Sequence, residues 1–147
     1  MTSITFKIIE HGGSEYQNAL SLREDILRKP LGFSYTLEER EGDKEHVHIV
    51  GFLDGDVCAT AVLVPEGDKL KMRQVAVQGD HQGKGFASAM LKFCEDYALS
   101  NGFMEIYCHT RETAIPFYLK NHYLAEGDLF IETTIPHLKM RKVLRRK

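Results

Sequence analysis

Between Val75 and Leu91 the chain reads V-A-V-Q-G-D-H-Q-G-K-G-F-A-S-A-M-L, a change of residue types that could hold an anion. A β-branched run from Met72 to Val77 breaks at Gln78-Gly79-Asp80, and after Gln82-Gly83-Lys84-Gly85 the apolar spacing turns from strand-like to helical. The order is strand, glycine loop, helix. Glycines let the main chain approach a ligand with no Cβ in the way, and a helix starting here aims unpaired N–H groups back at the loop. Such a mouth binds phosphate. Lys84 could add a charge-assisted contact, and the plain alternative is a glycine turn that merely caps a helix. A dinucleotide fingerprint is matched only imperfectly by Gly83-x-Gly85-x-x-Ser88 with Glu105 downstream. Residues Gln78 to Gln82 separate the strand from the first glycine, and Glu105 falls near the start of its strand, where the ribose-binding acid belongs at the end. His46 and His48 stand two apart on a predicted strand and share a face, which permits metal ligation. No Cys or carboxylate cluster at ligand spacing accompanies them, so no metal is expected.

The spacing Gln82-x-x-Gly85-x-Ala87, directly after Val75-Ala76-Val77, resembles the pyrophosphate-binding motif of the GNAT superfamily of acyl-CoA-dependent N-acetyltransferases. Downstream, Arg111-Glu112-Thr113-Ala114-Ile115-Pro116-Phe117-Tyr118 resembles that family's second conserved helix, ending in its Phe-Tyr pair. The resemblance implies an α/β (α+β) fold: a mixed, mostly antiparallel sheet with a splayed parallel strand pair, flanked by helices. It implies that the pantetheine arm of acetyl-CoA pairs with Val75, Ala76 and Val77 as an added strand. The pyrophosphate would lie over Gln82, Gly83, Lys84, Gly85, Phe86, Ala87 and Ser88, held chiefly by main-chain N–H groups. Ala114 and Phe117 are also implied at the cofactor, Phe117 with a core role as its alternative.

By the same resemblance, Tyr118 stands near the cofactor sulfur and protonates the departing thiolate. A phenol, with pKa about 10, is protonated at neutral pH and can act as an acid without tuning. The alternative is a buried tyrosine that packs and hydrogen-bonds locally. His137, Glu132 and His109 would border the acceptor site, and an imidazole titrates in the range a base needs. For each of the three a structural hydrogen bond is the alternative role. The implied activity is acetyl transfer from acetyl-CoA to a primary amine of a small-molecule or peptide acceptor, by direct attack in a ternary complex. Main-chain N–H groups of Val75 to Val77 would stabilise the tetrahedral oxyanion. A non-catalytic acyl-CoA-binding sensor or interaction module on the same fold is the other reading. Two positions depart from the family pattern: His122-Tyr123 replaces its common Gly-Phe, and Arg111 stands where Asn is frequent.

The elements that would position these residues can be read in order. Ile4, Phe6 and Ile8 alternate with Thr5 and Lys7, predicting a half-buried strand. Ser14-Glu15-Tyr16-Gln17 fits a capping box, followed by a helix burying Ala19, Leu20, Leu22, Ile26 and Leu27. A second short helix is expected within 31–44, its acidic run Glu38-Glu39-Arg40-Glu41 either a solvated face or a contact for a cationic amine. Strands follow over His46 to Leu53 and Asp56 to Val64, joined by a tight turn at Asp54-Gly55, then Lys69 to Val77. The next helix spans about Gly83 to Ser100, with Phe86, Ala87, Met90, Leu91, Cys94 and Ala98 inward. A strand over Met104 to Cys108 should pair in parallel with the strand before that helix. A helix over Thr113 to Lys120 and strands over Leu129 to Thr134 and His137 to Leu144, joined around Ile135-Pro136, complete the sheet.

With 147 residues and 43% hydrophobic content, a single domain over 1–147 is expected. The 19 basic and 21 acidic residues give a net charge of -2, which provides no global attraction for nucleic acid or an anionic membrane. Cys58, Cys94 and Cys108 lie in apolar stretches without C-x-x-C spacing and read as reduced core thiols of a soluble cytoplasmic protein. Exposed sheet edges would allow a homodimer.

Overall fold

The apolar and alternating runs of the sequence become seven strands of one sheet in the computed structural model, which describes residues 4–9, 13–23, 46–53, 55–78, 85–132 and 134–144. The strands are β1 (Thr5–Ile9), β2 (Val47–Leu53), β3 (Asp56–Glu66), β4 (Lys69–Val77), β5 (Glu105–Arg111), β6 (Leu124–Glu132) and β7 (Ile135–Val143). The helices are α1 (Ser14–Arg23), α2 (Phe86–Ser100) and α3 (Ile115–Lys120), the last preceded by a 3-10 turn at Glu112–Ala114. Strand order is β1-β2-β3-β4-β5-β7-β6, with β4 and β5 parallel and mostly antiparallel neighbours elsewhere. This is the expected mixed architecture, and α2 is the crossover that parallel strands require. The parallel register runs from Lys69↔Glu105 to Met72↔Cys108 and ends there, while both strands continue. Gln74, just beyond, has φ 54, so β4 leaves regular strand geometry where that pairing stops.

The chain divides into two compact units: Met1–Val64 with Gln74–Cys94, and Pro65–Arg73 with Glu95–Lys147. In the first, α1 lies against one face of the antiparallel β1–β2 pair through Ile9, Tyr16, Ala19, Leu20 and Val50. Phe6, on the other face of β1, meets Phe93 of α2 with ring centroids 5.7 Å apart. A Cβ at Gly51 would lie 2.9 Å from both Ile4 Cδ1 and Phe6 Cε1, so those two side chains occupy the space that a larger residue would need. The strand expected from Ile4, Phe6 and Ile8 therefore forms, but its last apolar residue inward is Ile9, and Ile8 is 48% exposed. The reason is that β1 has helices on both faces: α1 covers the side that alternation assigned to solvent. At the start of α1, Gln17 N bonds Gly13 O at 3.1 Å, so Gly13 takes the cap position that the capping-box reading gave to Ser14. His48 is 2% exposed, its ring edge-on to Tyr16 at 5.2 Å, which makes it a packing residue of this unit. Ile26, Leu27 and the helix expected within 31–44 fall outside the described residues.

In the second unit β7 lies between β5 and β6. Here β6 begins at Leu124, five residues earlier than expected, because Gly127-Asp128 lies in a bulge between Glu126 and Phe130 and not at a strand end. Gly127 has φ 79, which that bulge uses. The β6–β7 turn falls at Thr134 (φ 66), and Ile135-Pro136 opens β7, with Pro136 opposite Ile131. A Schellman motif closes α3: Tyr123 N bonds Tyr118 O at 3.0 Å and His122 N bonds Leu119 O at 3.1 Å, with His122 at φ 71. The same motif ends α2 at Gly102. Tyr123 donates to Glu95 Oε2 at 3.0 Å, and Lys142 Nζ reaches Glu95 Oε1 at 3.0 Å, a buried polar node under the sheet. Burial, and then the Glu95 carboxylate, push the Tyr123 phenol far above its ordinary value, so it remains a donor. All three cysteines are buried and outside any disulfide, as their apolar settings require.

Candidate active site

In the first unit the anion mouth is built by the end of β4 and the start of α2. Ala76 and Val77 are buried and Val75 half-buried, and beyond them Gln78 N bonds Cys58 O at 2.7 Å. Gln82, Gly83 and Lys84, expected at the pyrophosphate, lie outside the described residues. The helix starts at Phe86, later than its expected Gly83, because Gly85 has φ 82 and cannot be a helical residue. The first intrahelical bond is Ala89 N to Gly85 O at 3.1 Å. The amides of Ala87 and Ser88 therefore precede the ladder and have no carbonyl of their own helix to meet. A Cβ built on Gly85 meets nothing within 4 Å among the described residues. Main-chain donors, a glycine in the left-handed region and the positive end of a helix of about four turns are the parts from which an oxyanion cradle can be made.

In the second unit, alternation along β5 puts Glu105, Tyr107, His109 and Arg111 on one face, and Ile106, Cys108 and Thr110 on the other. Register carries the first set across the sheet: Arg111 is opposite His137 on β7, and His137 is opposite Phe130 on β6. His109, Glu132 and His137 are thereby brought together. His109 Nδ1 lies 3.0 Å from Glu132 Oε1, and His137 Nε2 lies 3.8 Å from Glu132 Oε2. The other ring nitrogen of His137, Nδ1, is 2.9 Å from Ile135 O and so carries the proton of that bond. Phe130 packs edge-on against His109 at 5.0 Å and stacks on His137 at 6.1 Å. For Glu132, burial raises the carboxyl, but the His109 hydrogen bond and the charges of His109, His137 and Lys71 outweigh it and hold the group below its ordinary value. Glu132 is thus ionised at neutral pH and accepts from His109 Nδ1–H, which leaves Nε2 of His109 as the basic nitrogen.

Tyr118 is not part of this cluster. It is 5% exposed on α3 and addresses the opposite face of β5, where its hydroxyl hydrogen-bonds the Cys108 thiol. Thr110 Oγ1 is 3.0 Å from the same sulfur. Burial pushes the Cys108 thiol up to about 11, against the lowering effect of those two bonds, so the sulfur is a thiol and no nucleophile. The rings of Phe117 and Tyr123 flank Tyr118 edge-on at 5.1 and 5.4 Å, and Ala114 and Phe117 are half-buried beside it in sequence.

Sequence reasoning missed Tyr107 and its neighbours. Tyr107 is buried and donates its hydroxyl to Glu66, and the ammonium groups of Lys71 and Lys139 lie 5.9 and 4.7 Å from its ring centroid. Burial, then the bond to Glu66 and the charges of Glu66 and Glu105, raise its phenol well above the ordinary range. The alternation that places Tyr107 on the His109 face was visible, but not that Lys71 and Lys139 would flank it. Among the described residues no group of three or more His, Cys, Asp or Glu could hold a metal ion, and no helix is long and apolar enough to cross a membrane.

The fold recurs in solved structures. A Lactobacillus plantarum chain, provisionally assigned as an N-acetyltransferase, superposes with a TM-score of 0.84 at 22% identity, covering 98% of this chain and 99% of that one. An acyl-CoA N-acyltransferase from Pseudomonas aeruginosa gives 0.81 at 18% identity, covering 96% and 100%. A GNAT family acetyltransferase from Elizabethkingia anophelis, with acetyl-CoA bound, gives 0.75 at 14% identity, covering 96% and 98%. At such identities the likeness speaks for the fold alone. The sequence itself matches the acetyltransferase (GNAT) family over residues 15–123, a span that includes both the glycine mouth and the Phe-Tyr helix. On that match, the chain belongs to the acetyltransferase (GNAT) family and is an acyl-transferring enzyme.

Proposed function

We propose that this chain transfers the acetyl group of acetyl-CoA to a primary amine by direct attack in a ternary complex. The convergence of His109, Glu132 and His137 carries the reading, because an amine that is an ammonium ion at neutral pH must lose a proton before it can attack. His109 takes that proton at Nε2 while Glu132 holds Nδ1–H. The amine nitrogen then bonds to the thioester carbonyl carbon, and the carbon–sulfur bond breaks. Tyr118 returns a proton to the thiolate. The mouth at Gly85, Ala87 and Ser88 supports pyrophosphate binding, and the Val75 to Val77 stretch supports pairing with the pantetheine arm and donation to the oxyanion. That Cys58, Cys94 and Cys108 form no disulfide supports a reducing, cytoplasmic setting.

The experiment is release of CoA thiol from acetyl-CoA in the presence of an amine panel, with calorimetric titration of CoA alongside. Tyr118→Phe should lower kcat by about 100-fold with CoA affinity retained, the usual size of a general-acid contribution. No thiol release above background with any amine would overturn acetyl transfer; retained affinity for CoA would then leave the non-catalytic acyl-CoA-binding reading, and no affinity would remove that as well.

A further inference from the structure

The face of the sheet that carries His109 also sorts its charges unevenly. Glu105 is held by Lys69 at 3.7 Å and by Arg141 at 3.4 Å. Glu126 is held by Arg141 at 2.7 Å and by Lys139 at 3.2 Å. Glu132 is engaged by the two histidines, and Glu66 accepts from Tyr107. Among the described residues, the carboxylates of this face are therefore each ion-paired or hydrogen-bonded, and of its lysines only Lys71 is not paired with one. Lys71, set by register beside Tyr107, is half-buried, and its ammonium lies over the Tyr107 ring without a carboxylate partner among the described residues. It stands close enough to the proposed base for its charge to act on Glu132.

A polycationic acceptor would need unengaged carboxylates to hold it, and among the described residues this face offers none; an amine with no anionic group would leave Lys71 without an opposite charge. An acceptor with its own oxyanion completes the pairing. Resting on the acetyl-transfer reading, we infer that the acceptor is a small amine that also carries an oxyanion, a carboxylate or a phosphate, and that Lys71 is the residue that binds this group beside His109. The flat Tyr107 ring under the ammonium, itself pinned by Glu66, keeps Lys71 from folding away and leaves its three N–H donors to the acceptor. Lys71 thereby determines specificity without taking part in proton transfer.

The test pairs acceptors that differ only in the anion: free amino acids against their amides, and aminoalkyl phosphates against the corresponding amino alcohols. For the parent protein with acetyl-CoA, kcat/KM should be at least tenfold higher for the anionic member of one series, and the series that shows it identifies carboxylate or phosphate as the group. Lys71→Met should raise KM for that member about tenfold or more, leave kcat within a few-fold, and leave the member without the anion unaffected; Lys71→Arg should restore most of the preference. The same compounds titrated calorimetrically into the protein saturated with CoA give a readout independent of turnover. Anion-dependent binding that Lys71→Met abolishes upholds the inference even if no thiol is released, an outcome that would instead sink the acetyl-transfer reading. Equal handling by the parent of members with and without the anion, or equal losses for both in Lys71→Met, overturns the role of Lys71 and leaves acetyl transfer standing.

Discussion

The carboxylate of Glu132 accepts from Nδ1 of His109 at 3.0 Å, and this one bond decides which imidazole nitrogen is left to work. It joins residues 23 apart in sequence. A histidine whose Nδ1–H is anchored presents Nε2 with its lone pair outward, in a fixed orientation.

Glu132→Gln should therefore lower kcat by about 10-fold or more while CoA affinity is unchanged, since the amide keeps the shape and loses the charge that stabilises an imidazolium. Stability carries a second signature. Because the folded-state value of Glu132 is depressed, its contribution is present above the unfolded carboxyl value of about 4.3 and is lost as pH falls through the lower folded value. Urea midpoints of parent and Glu132→Gln, compared from pH 6 down to pH 3, should converge at the acid end.

Gly85 separates a backbone requirement from a binding one. Its φ of 82 penalises any Cβ, by about 1–2 kcal/mol for an ordinary residue, although nothing among the described residues within 4 Å would obstruct the side chain. Asparagine tolerates this conformation better than most. Gly85→Asn should thus remain folded by circular dichroism and unfold within about 1 kcal/mol of the parent. Its affinity for CoA in calorimetry should fall by more than tenfold, because the new side chain stands in front of the helix amides. Unchanged affinity would remove this helix end from the cofactor site.

His122 occupies a position that glycine fills at no conformational cost. At φ 71 it closes the Schellman motif of α3. His122→Gly should stabilise the protein by about 0.5–1 kcal/mol in denaturant unfolding, the relief of left-handed strain exceeding the added freedom of the unfolded chain. The family's common glycine here is thus a backbone matter.

Tyr123 ties the strand that follows α3 to Glu95. Tyr123→Phe removes one of the two partners of a buried carboxylate, leaving Lys142 alone, and should cost about 1–2 kcal/mol. Its effect on kcat should be small, which thermal unfolding and steady-state rates together would show.

The parts legible in the sequence were those whose signal is local. β4 was bounded correctly because its β-branched run meets glycines, and α2 ended where Asn101-Gly102 said it would. The parallel β4–β5 pair followed from a helix lying between two strands. The errors came where local signals have two meanings. The strand expected from Leu129 begins before the Gly127-Asp128 bulge, Ile135-Pro136 reads as a turn and opens a strand, and Ile9 alternates outward yet is buried because α1 covers that side of an edge strand. His109, Glu132 and His137 were each nominated through a family resemblance, but their meeting depends on the β5-β7-β6 register, which no single segment encodes. Tyr107 and Glu66, 41 positions apart, left no trace in either motif or period.

The burial of Cys58, Cys94 and Cys108 has a practical side. Burial raises the Cys58 sulfhydryl, and that of Cys108 is pushed up to about 11, so neither offers much anion to an electrophile. An alkylating dye mixed with the native protein should find almost nothing to label until the sheet opens, and its colour during turnover would then count liberated coenzyme alone. Heating the same mixture would turn those silent sulfurs into a clock for unfolding.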